Sequence, residues 1–394
     1  MTSIPSELAE ELAALESSGR RRVRRTVEPL PEGRCQVNDS LLWNFAGNDY
    51  LGIADHPLLI QSAAEAMHSA GVGARASPLV SGRTQWHDRL EARFSQFKHA
   101  EAAILFPTGF AANLGVLTAL AGPEDVILCD RLNHASLIDG SRLSKARLRV
   151  VPHCDVEACR KQLQNAAGSR RRFIVTDSVF SMDGDHAPLA ELAQLADAFD
   201  AVLIVDEAHA TGVFGAQGRG LLEDQHVPDS DRIVAVSTLS KAMGLQGGIV
   251  TGCNVLIEWL WNSARSQMFS TGLSVPVCGA ALAAIDLIEN EPHRRDWLKK
   301  ASSHVLTSLR EQGWEIPEAT RGPIIPVLIG DDQETMRLSA RLQEAGVLVA
   351  GIRPPTVPPR TSRLRISLSF AHGSLGIEAL IQAFSELSRA RLQE

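Results

Sequence analysis

The chain has 394 residues, which at roughly 150 residues per domain suits two or three domains. Apolar residues make up 44% and charged residues 22%, an ordinary globular balance that excludes a disordered chain, a collagen and a coiled coil. Lys plus Arg number 39 against 46 Asp plus Glu, and the resulting net charge of −7 lacks the basic excess of a nucleic-acid binder and suits a soluble cytoplasmic protein.

The first residues, through Gly19, are polar and acidic and hold no apolar core for a signal peptide. Leu8, Leu12 and Leu15 recur at near-helical spacing over residues 6–16. The basic run Arg20–Arg25 then reads either as a solvated helix end or as a mouth for an anionic substrate. No apolar run approaches the ~18 residues of a membrane span. Cys35, Cys129, Cys154, Cys159, Cys253 and Cys278 form no CxxC pair and match no zinc spacing. They read as buried thiols of a reducing compartment, and no metal site is expected.

From residue 100 onward, short β-rich runs alternate with helical patterns. The predicted strands are Ala103–Phe106, Asp125–Cys129, Arg147–Val151, Phe173–Thr176, Ala201–Val205, Ile233–Ser237 and Gly248–Thr251. Helical stretches such as Ala112–Leu120 and Leu189–Phe199 lie between them. This alternation predicts an α/β domain with a mostly parallel central sheet. Residues 273–312 read as one long helical region interrupted at Pro292. Strands at Ile324–Ile329 and Leu364–Leu368, a helix at Glu334–Ala345 and a last helix at Leu375–Leu392 predict a smaller C-terminal α/β domain.

An open α/β sheet builds its site beyond the carboxyl ends of its strands. Polar residues collect at those ends here: Thr108-Gly109 before a helix, His134, Ser181, Asp206-x-x-His209 and Thr238-x-x-Lys241. Singly, each has a bland reading as a helix cap, a turn residue or a solvated lysine. Together they are the parts that pyridoxal phosphate (PLP) needs. Its aldehyde takes a lysine, its ring nitrogen a carboxylate, its phenolic oxygen donors, its ring face a flat side chain, and its phosphate a helix start.

On these residues the chain resembles the PLP-dependent α-oxoamine synthases of the aspartate-aminotransferase fold (fold type I). The resemblance runs from about residue 20 to the end. It is carried by Asn48-Asp49-Tyr50-Leu51-Gly52, Thr108-Gly109-Phe110-Ala111-Ala112-Asn113, Phe180-Ser181-Met182-Asp183-Gly184-Asp185 and Asp206-Glu207-Ala208-His209. Ile352-Arg353-Pro354-Pro355-Thr356-Val357-Pro358 resembles the branch that makes 8-amino-7-oxononanoate for biotin. The resemblance implies an N-terminal segment over 1–46, a large PLP-binding domain over 47–285 and a small domain over 286–394.

It also implies roles. Lys241 would hold the cofactor as a Schiff base and move the Cα proton, Asp206 would pair with the ring nitrogen, and His134 would stack on the ring. His209 and Ser181 would meet the phenolic oxygen, while Thr108, Gly109, Phe110 and Thr238 would hold cofactor and phosphate. Arg353 would meet the substrate carboxylate, with Asn48 and Thr356 lining the substrate site. Of the N-terminal arginines, Arg22 fits the family spacing best and Arg24 competes. Family members are homodimers, and Ser270 and Thr271 match the segment that reaches the neighbour's phosphate. Ser240 stands where many members have Gly, Glu207 where many have Asp, and Phe269 where Tyr is frequent.

The implied reaction joins L-alanine to a pimeloyl thioester, on coenzyme A or an acyl carrier protein, with loss of CO2 and thiol. The alternatives are a glycine-using relative, such as glycine C-acetyltransferase or 5-aminolevulinate synthase, and a non-catalytic subunit, which would be expected to lose Lys241. A nicotinamide-binding dehydrogenase is disfavoured, because Gly71-Val72-Gly73-Ala74-Arg75-Ala76 lacks the third glycine and follows a helix-like stretch.

Overall fold

The computed structural model describes residues 3–391, which fall into two compact units. The smaller unit takes the residues before Asn48, Met182–Gly184 and the residues from Trp297 onward. The larger takes Asn48–Ser181 and Asp185–Asp296.

The smaller unit opens with the helix Ile4–Ser17, none of whose residues is buried. Strands β1 (Glu28–Leu30), β2 (Arg34–Val37) and β3 (Ser40–Asn44) follow as an antiparallel meander.

The larger unit holds β4 (Ala102–Phe106), β5 (Val126–Asp130), β6 (Arg147–Val151), β7 (Arg172–Asp177), β8 (Val202–Asp206), β9 (Ile233–Thr238) and β10 (Gly248–Gly252). All seven are the strands read from the sequence. They form one sheet in the order β4-β10-β9-β8-β7-β5-β6. β10 pairs antiparallel with both neighbours, and the remaining pairings are parallel. The reversal has a simple cause. The link from Thr238 to Gly248 is shorter than the dozen or so residues a parallel crossover needs. β5 is buried at every residue, and its continuous apolar run marks a strand covered on both faces. The helix Gly109–Leu120 covers one of those faces through Ala112, Val116, Leu117 and Leu120. The expected 273–312 helical region is two helices, Val275–Asn290 and Pro292–Glu311. Pro292 opens the second, where its missing N–H costs nothing.

The smaller unit resumes with β11 (Ile324–Gly330), the helix Asp332–Glu344, β12 (Val347–Leu348), β13 (Ala350–Ile352), β14 (Ser362–Ser367) and the helix Gly373–Arg391. The last predicted helical residue, Leu392, lies outside the described residues. β11, β14 and β13 form an antiparallel sheet, whereas β12 pairs parallel with β3, Val347 against Trp43. The N-terminal meander thus shares a sheet with the C-terminal part of the chain. Among the described residues no helix is long and apolar enough to cross a membrane. All six cysteines are free; Cys35, Cys129, Cys159 and Cys278 are buried as expected, but Cys154 and Cys253 are only partly so.

Candidate active site

Apart from Asn48 and Tyr50, the chemistry-bearing residues of the larger unit's candidate site follow strands of the large sheet that run in the common direction. After β4, Thr108 caps the helix Gly109–Leu120, its Oγ1 accepting the Ala111 N–H at 3.0 Å. The first N–H groups of that helix have no intrahelical acceptor, which makes its start an anion seat. A Cβ on Gly109 would lie 3.3 Å from Thr238 Cβ and Oγ1, so the glycine lets the helix start approach the end of β9. Thr238 Oγ1 donates to Gly247 O at 2.9 Å and pairs with Ser240 Oγ at 2.7 Å.

After β8, Asp206 is buried, 5% exposed. Its Oδ1 accepts the Ala208 N–H at 2.8 Å, and its Oδ2 accepts from Asn113 Nδ2 at 2.6 Å. Asn113 Nδ2 also donates to Ser136 Oγ at 2.9 Å, and Ser136 Oγ lies 2.8 Å from His134 Nδ1. His134 Nδ1 also accepts the Ser136 N–H at 3.3 Å, which makes Nδ1 an acceptor, so the Ser136 hydroxyl donates to it while accepting from Asn113. The His134 ring is therefore neutral, with its proton on Nε2. Burial pulls its pKa down and so does Lys241, against an upward pull from Asp206 and Asp139. Phe110 stands edge-on to this ring, centroids 6.4 Å apart.

His209 Nδ1 lies 2.6 Å from the Tyr50 hydroxyl, which is 3.3 Å from Asn48 Oδ1. Ser181 sits in a turn that starts with Phe180 N–H donating to Asp185 O at 3.1 Å. Lys241 exerts its charge on both His134 and Asp177. The larger unit thus gathers His134, Asp206 and Lys241, with Thr108, Gly109 and Phe110 at the rim. Thr271 is exposed, and among the described residues no hydrogen bond joins it or Ser270 to this group.

The sequence reading passed over three members. Asp177, at the end of β7, is buried, and its Oδ2 accepts the His134 N–H at 2.6 Å. Burial and then Asp206 hold its pKa well above the usual carboxylate range, against the His134 N–H and Lys241. Asn113 and Tyr50 are the others. All three stand inside the strand-end or motif segments, which was the available signal.

The smaller unit brings together the substrate residues expected there. Arg22 Nη2 donates to Thr356 Oγ1 at 3.3 Å, and Arg353 Nη2 donates to Arg21 O at 2.9 Å. Burial lowers the Arg353 pKa, and the nearby Arg22 charge lowers it further. Arg353 Nε is buried without a hydrogen-bond partner. Among the described residues no bond joins Arg24 to this group.

A family model for class I and II aminotransferases matches residues 42–384. The 8-amino-7-oxononanoate synthase of Methylobacillus flagellatus is 41% identical over 389 residues, 99% of this chain and 98% of its own. The chain belongs to the 8-amino-7-oxononanoate synthases of the class I and II aminotransferase family. The synthase of Francisella tularensis superposes with a TM-score of 0.77 at 28% identity, over 89% of this chain and 99% of that one. A serine palmitoyltransferase of S. paucimobilis, solved with PLP and myriocin bound, gives a TM-score of 0.93 at 27% identity over 99% of both chains.

The enzyme is a PLP-dependent acyltransferase. Its own residues fit the cofactor. A buried carboxylate accepts from an amide donor, its charge and that of Lys241 both reach His134, and a capped helix start opens beside Thr238.

Proposed function

We propose that the enzyme condenses L-alanine with a pimeloyl thioester, releasing CO2 and the free thiol, to make 8-amino-7-oxononanoate. The observation that carries this reading is the buried Asp206, held by Asn113 and acting together with Lys241 on His134, in a chain 41% identical to a synthase of that product. PLP, when bound, supplies an electron sink for the bonds at the amino acid's Cα.

In this reading Asp206 keeps the ring nitrogen protonated, since a charge-assisted bond from a buried carboxylate favours the cationic partner. Lys241 would hold the cofactor through its aldehyde and, as a neutral amine once the substrate amine has displaced it, would act as the general base that takes the Cα proton. The neutral His134 ring covers the cofactor face without adding charge. His209, backed by Tyr50, and Ser181 set the phenolic oxygen. The helix start at Gly109 and Phe110, with Thr108 and Thr238, holds the phosphate. Arg353 meets the substrate carboxylate, and Thr356 and Asn48 line the substrate. Arg22 meets the acyl donor, which travels on coenzyme A or an acyl carrier protein. Two copies assemble, with Ser270 and Thr271 turned toward the neighbour's phosphate.

The test is thiol release and CO2 release with alanine, glycine and serine, each offered pimeloyl, acetyl and succinyl thioesters. Alanine with the pimeloyl thioester should turn over fastest. An alanine methyl is worth only about 1–3 kcal/mol of discrimination, so some glycine turnover is compatible. Faster turnover of glycine with acetyl or succinyl thioester would move the enzyme to the glycine-using branch.

A further inference from the structure

His153 follows β6 and lies outside every role assigned above. Its side chain is 16% exposed. Nδ1 is 3.0 Å and 3.2 Å from the two oxygens of Asp130, and Nε2 is 2.6 Å from Asp185 Oδ2. Ionised carboxylates only accept, so an imidazole bonded to one at each nitrogen must donate from both.

The two carboxylates belong to the loops that carry cofactor-site residues. Asp130 ends β5, and its Oδ1 accepts the Leu132 N–H at 2.8 Å. Its carbonyl accepts the Asn133 N–H at 3.2 Å, so Asp130 shapes the turn that delivers His134. Asn133 ties that turn to β7, donating to Val175 O at 2.8 Å and accepting the Asp177 N–H at 3.0 Å. Asp185 receives the Phe180 N–H on its carbonyl, at the turn that carries Ser181. The His153 ring also stands edge-on to Phe180, centroids 4.4 Å apart.

We propose that His153 is a positioning residue, an imidazolium bridging Asp130 and Asp185 that holds the His134 loop and the Ser181 loop in one arrangement. The titratable groups facing the ring are Asp130, Asp185 and the Cys154 thiol, 3.6–3.7 Å from its nitrogens. Burial alone would lower the His153 pKa. Asp130, Asp185 and Cys154 outweigh it and carry it to about 12. Asp185 Oδ1 is buried without a hydrogen-bond partner, so His153 is the cation that this carboxylate depends on. Asp130, His153 and Cys154 also have the spacing of a metal-ligand group, which is the competing use of the same atoms.

The proposal rests on the reading of His134 and Ser181 as cofactor contacts, but its first measurement does not. Imidazole ¹⁵N spectra of the holoenzyme should show both His153 nitrogens protonated through about pH 9, far above an ordinary histidine near 6.5. A single N–H, or titration near that ordinary value, overturns the bridge. So does stoichiometric zinc uptake with loss of the Nδ1 proton.

The second measurement is PLP affinity against pH. Asp185→Asn removes one anion and returns His153 toward the ordinary range. Its PLP affinity should fall by about tenfold or more on the alkaline side, relative to wild type at the same pH, as a hydrogen bond to a charged group is lost. His153→Arg keeps a cation that can bridge two carboxylates and should hold affinity near wild type without that step. An Asp185→Asn profile that parallels wild type, or a His153→Arg protein that acquires the alkaline step, removes the positioning role.

Discussion

Asn113 Nδ2 stands 2.6 Å from Asp206 Oδ2 and 2.9 Å from Ser136 Oγ, so one buried amide sets both the carboxylate and, through the serine, the His134 tautomer. Asn113 Oδ1 has no hydrogen-bond partner, which leaves the amide's whole contribution on its donor side. Asn113→Ala removes a hydrogen bond to a charged group, worth about 1.5–3 kcal/mol. PLP affinity should fall by about tenfold or more, and His134 should titrate at a changed pH because the Ser136 hydroxyl is free to turn. A cofactor titration that matches wild type would show that Asp206 does not rely on the amide.

His372 gives a pH prediction with a definite sign. It lies in the smaller unit, 2% exposed, its ring centroid 3.9 Å from that of Phe45. Nδ1 accepts the Ser369 N–H at 3.0 Å and Nε2 donates to Asn44 O at 2.9 Å, which fixes the neutral ring. Burial pushes its pKa down to about 4, against a smaller upward pull from the Asn44 carbonyl. The unfolded chain therefore binds a proton that the folded chain refuses. Stability from this group is whole above about pH 6.5 and is lost as pH falls toward the folded value, by about 3 kcal/mol in all. His372→Gln should flatten the fall in urea midpoint between about pH 6.5 and 4 relative to wild type. Parallel curves for the two proteins would remove His372 from the acid response.

The strands of the large sheet were legible because burial on both faces writes them as continuous apolar runs, as at Val126–Asp130 and Val202–Asp206. The meander β1–β3 was not. Glu28–Leu30 is three residues long with two exposed, too little pattern to stand out. Its pairing with β12 joins Trp43 to Val347, and no local signal encodes such a partner. The same holds within the site. Asp206 and Lys241 stand out by type and place after a strand. Asn113 is one more helical residue until the fold brings it to a carboxylate 93 positions away. Asp177 reads as an ordinary strand-end cap until its carboxylate is found buried on the His134 N–H.

Glu207, the neighbour of Asp206, is fully buried and ion-paired with Lys98, whose side chain is 4% exposed. Lys98 Nζ also donates to Arg219 O, and Glu207 Oε1 accepts the Leu222 N–H at 3.0 Å. Removing one partner of such a pair strands a charge in the interior. Lys98→Met should cost about 3–5 kcal/mol of stability. Lys98→Met with Glu207→Gln leaves no lone charge and should recover part of that loss. The check is equilibrium unfolding of both single variants and the double. A Lys98→Met protein as stable as wild type, or a double variant no better than that single, would show that the pair is not what the interior depends on.

Arg353 is the last test. Its guanidinium lies close enough to Arg22 for the two charges to oppose each other, and its Nε is buried with no hydrogen-bond partner. Like charges held together suit an anion, and a planar guanidinium grips a carboxylate with two parallel bonds where an ammonium makes a point contact. Arg353→Lys keeps the charge and loses the fork. In the proposed role the KM for alanine should rise by about tenfold or more, the size of one lost charge-assisted bond, while the KM for the acyl donor changes little. Arg22→Ala should do the reverse, raising the acyl donor's KM and sparing alanine's. The two variants also act on each other's ground state, because removing Arg22 relieves the repulsion on Arg353. Alanine affinity in Arg22→Ala should therefore hold or improve slightly. If Arg353→Lys raises both constants equally, or Arg22→Ala weakens alanine, the carboxylate is bound elsewhere and the pair serves another anion.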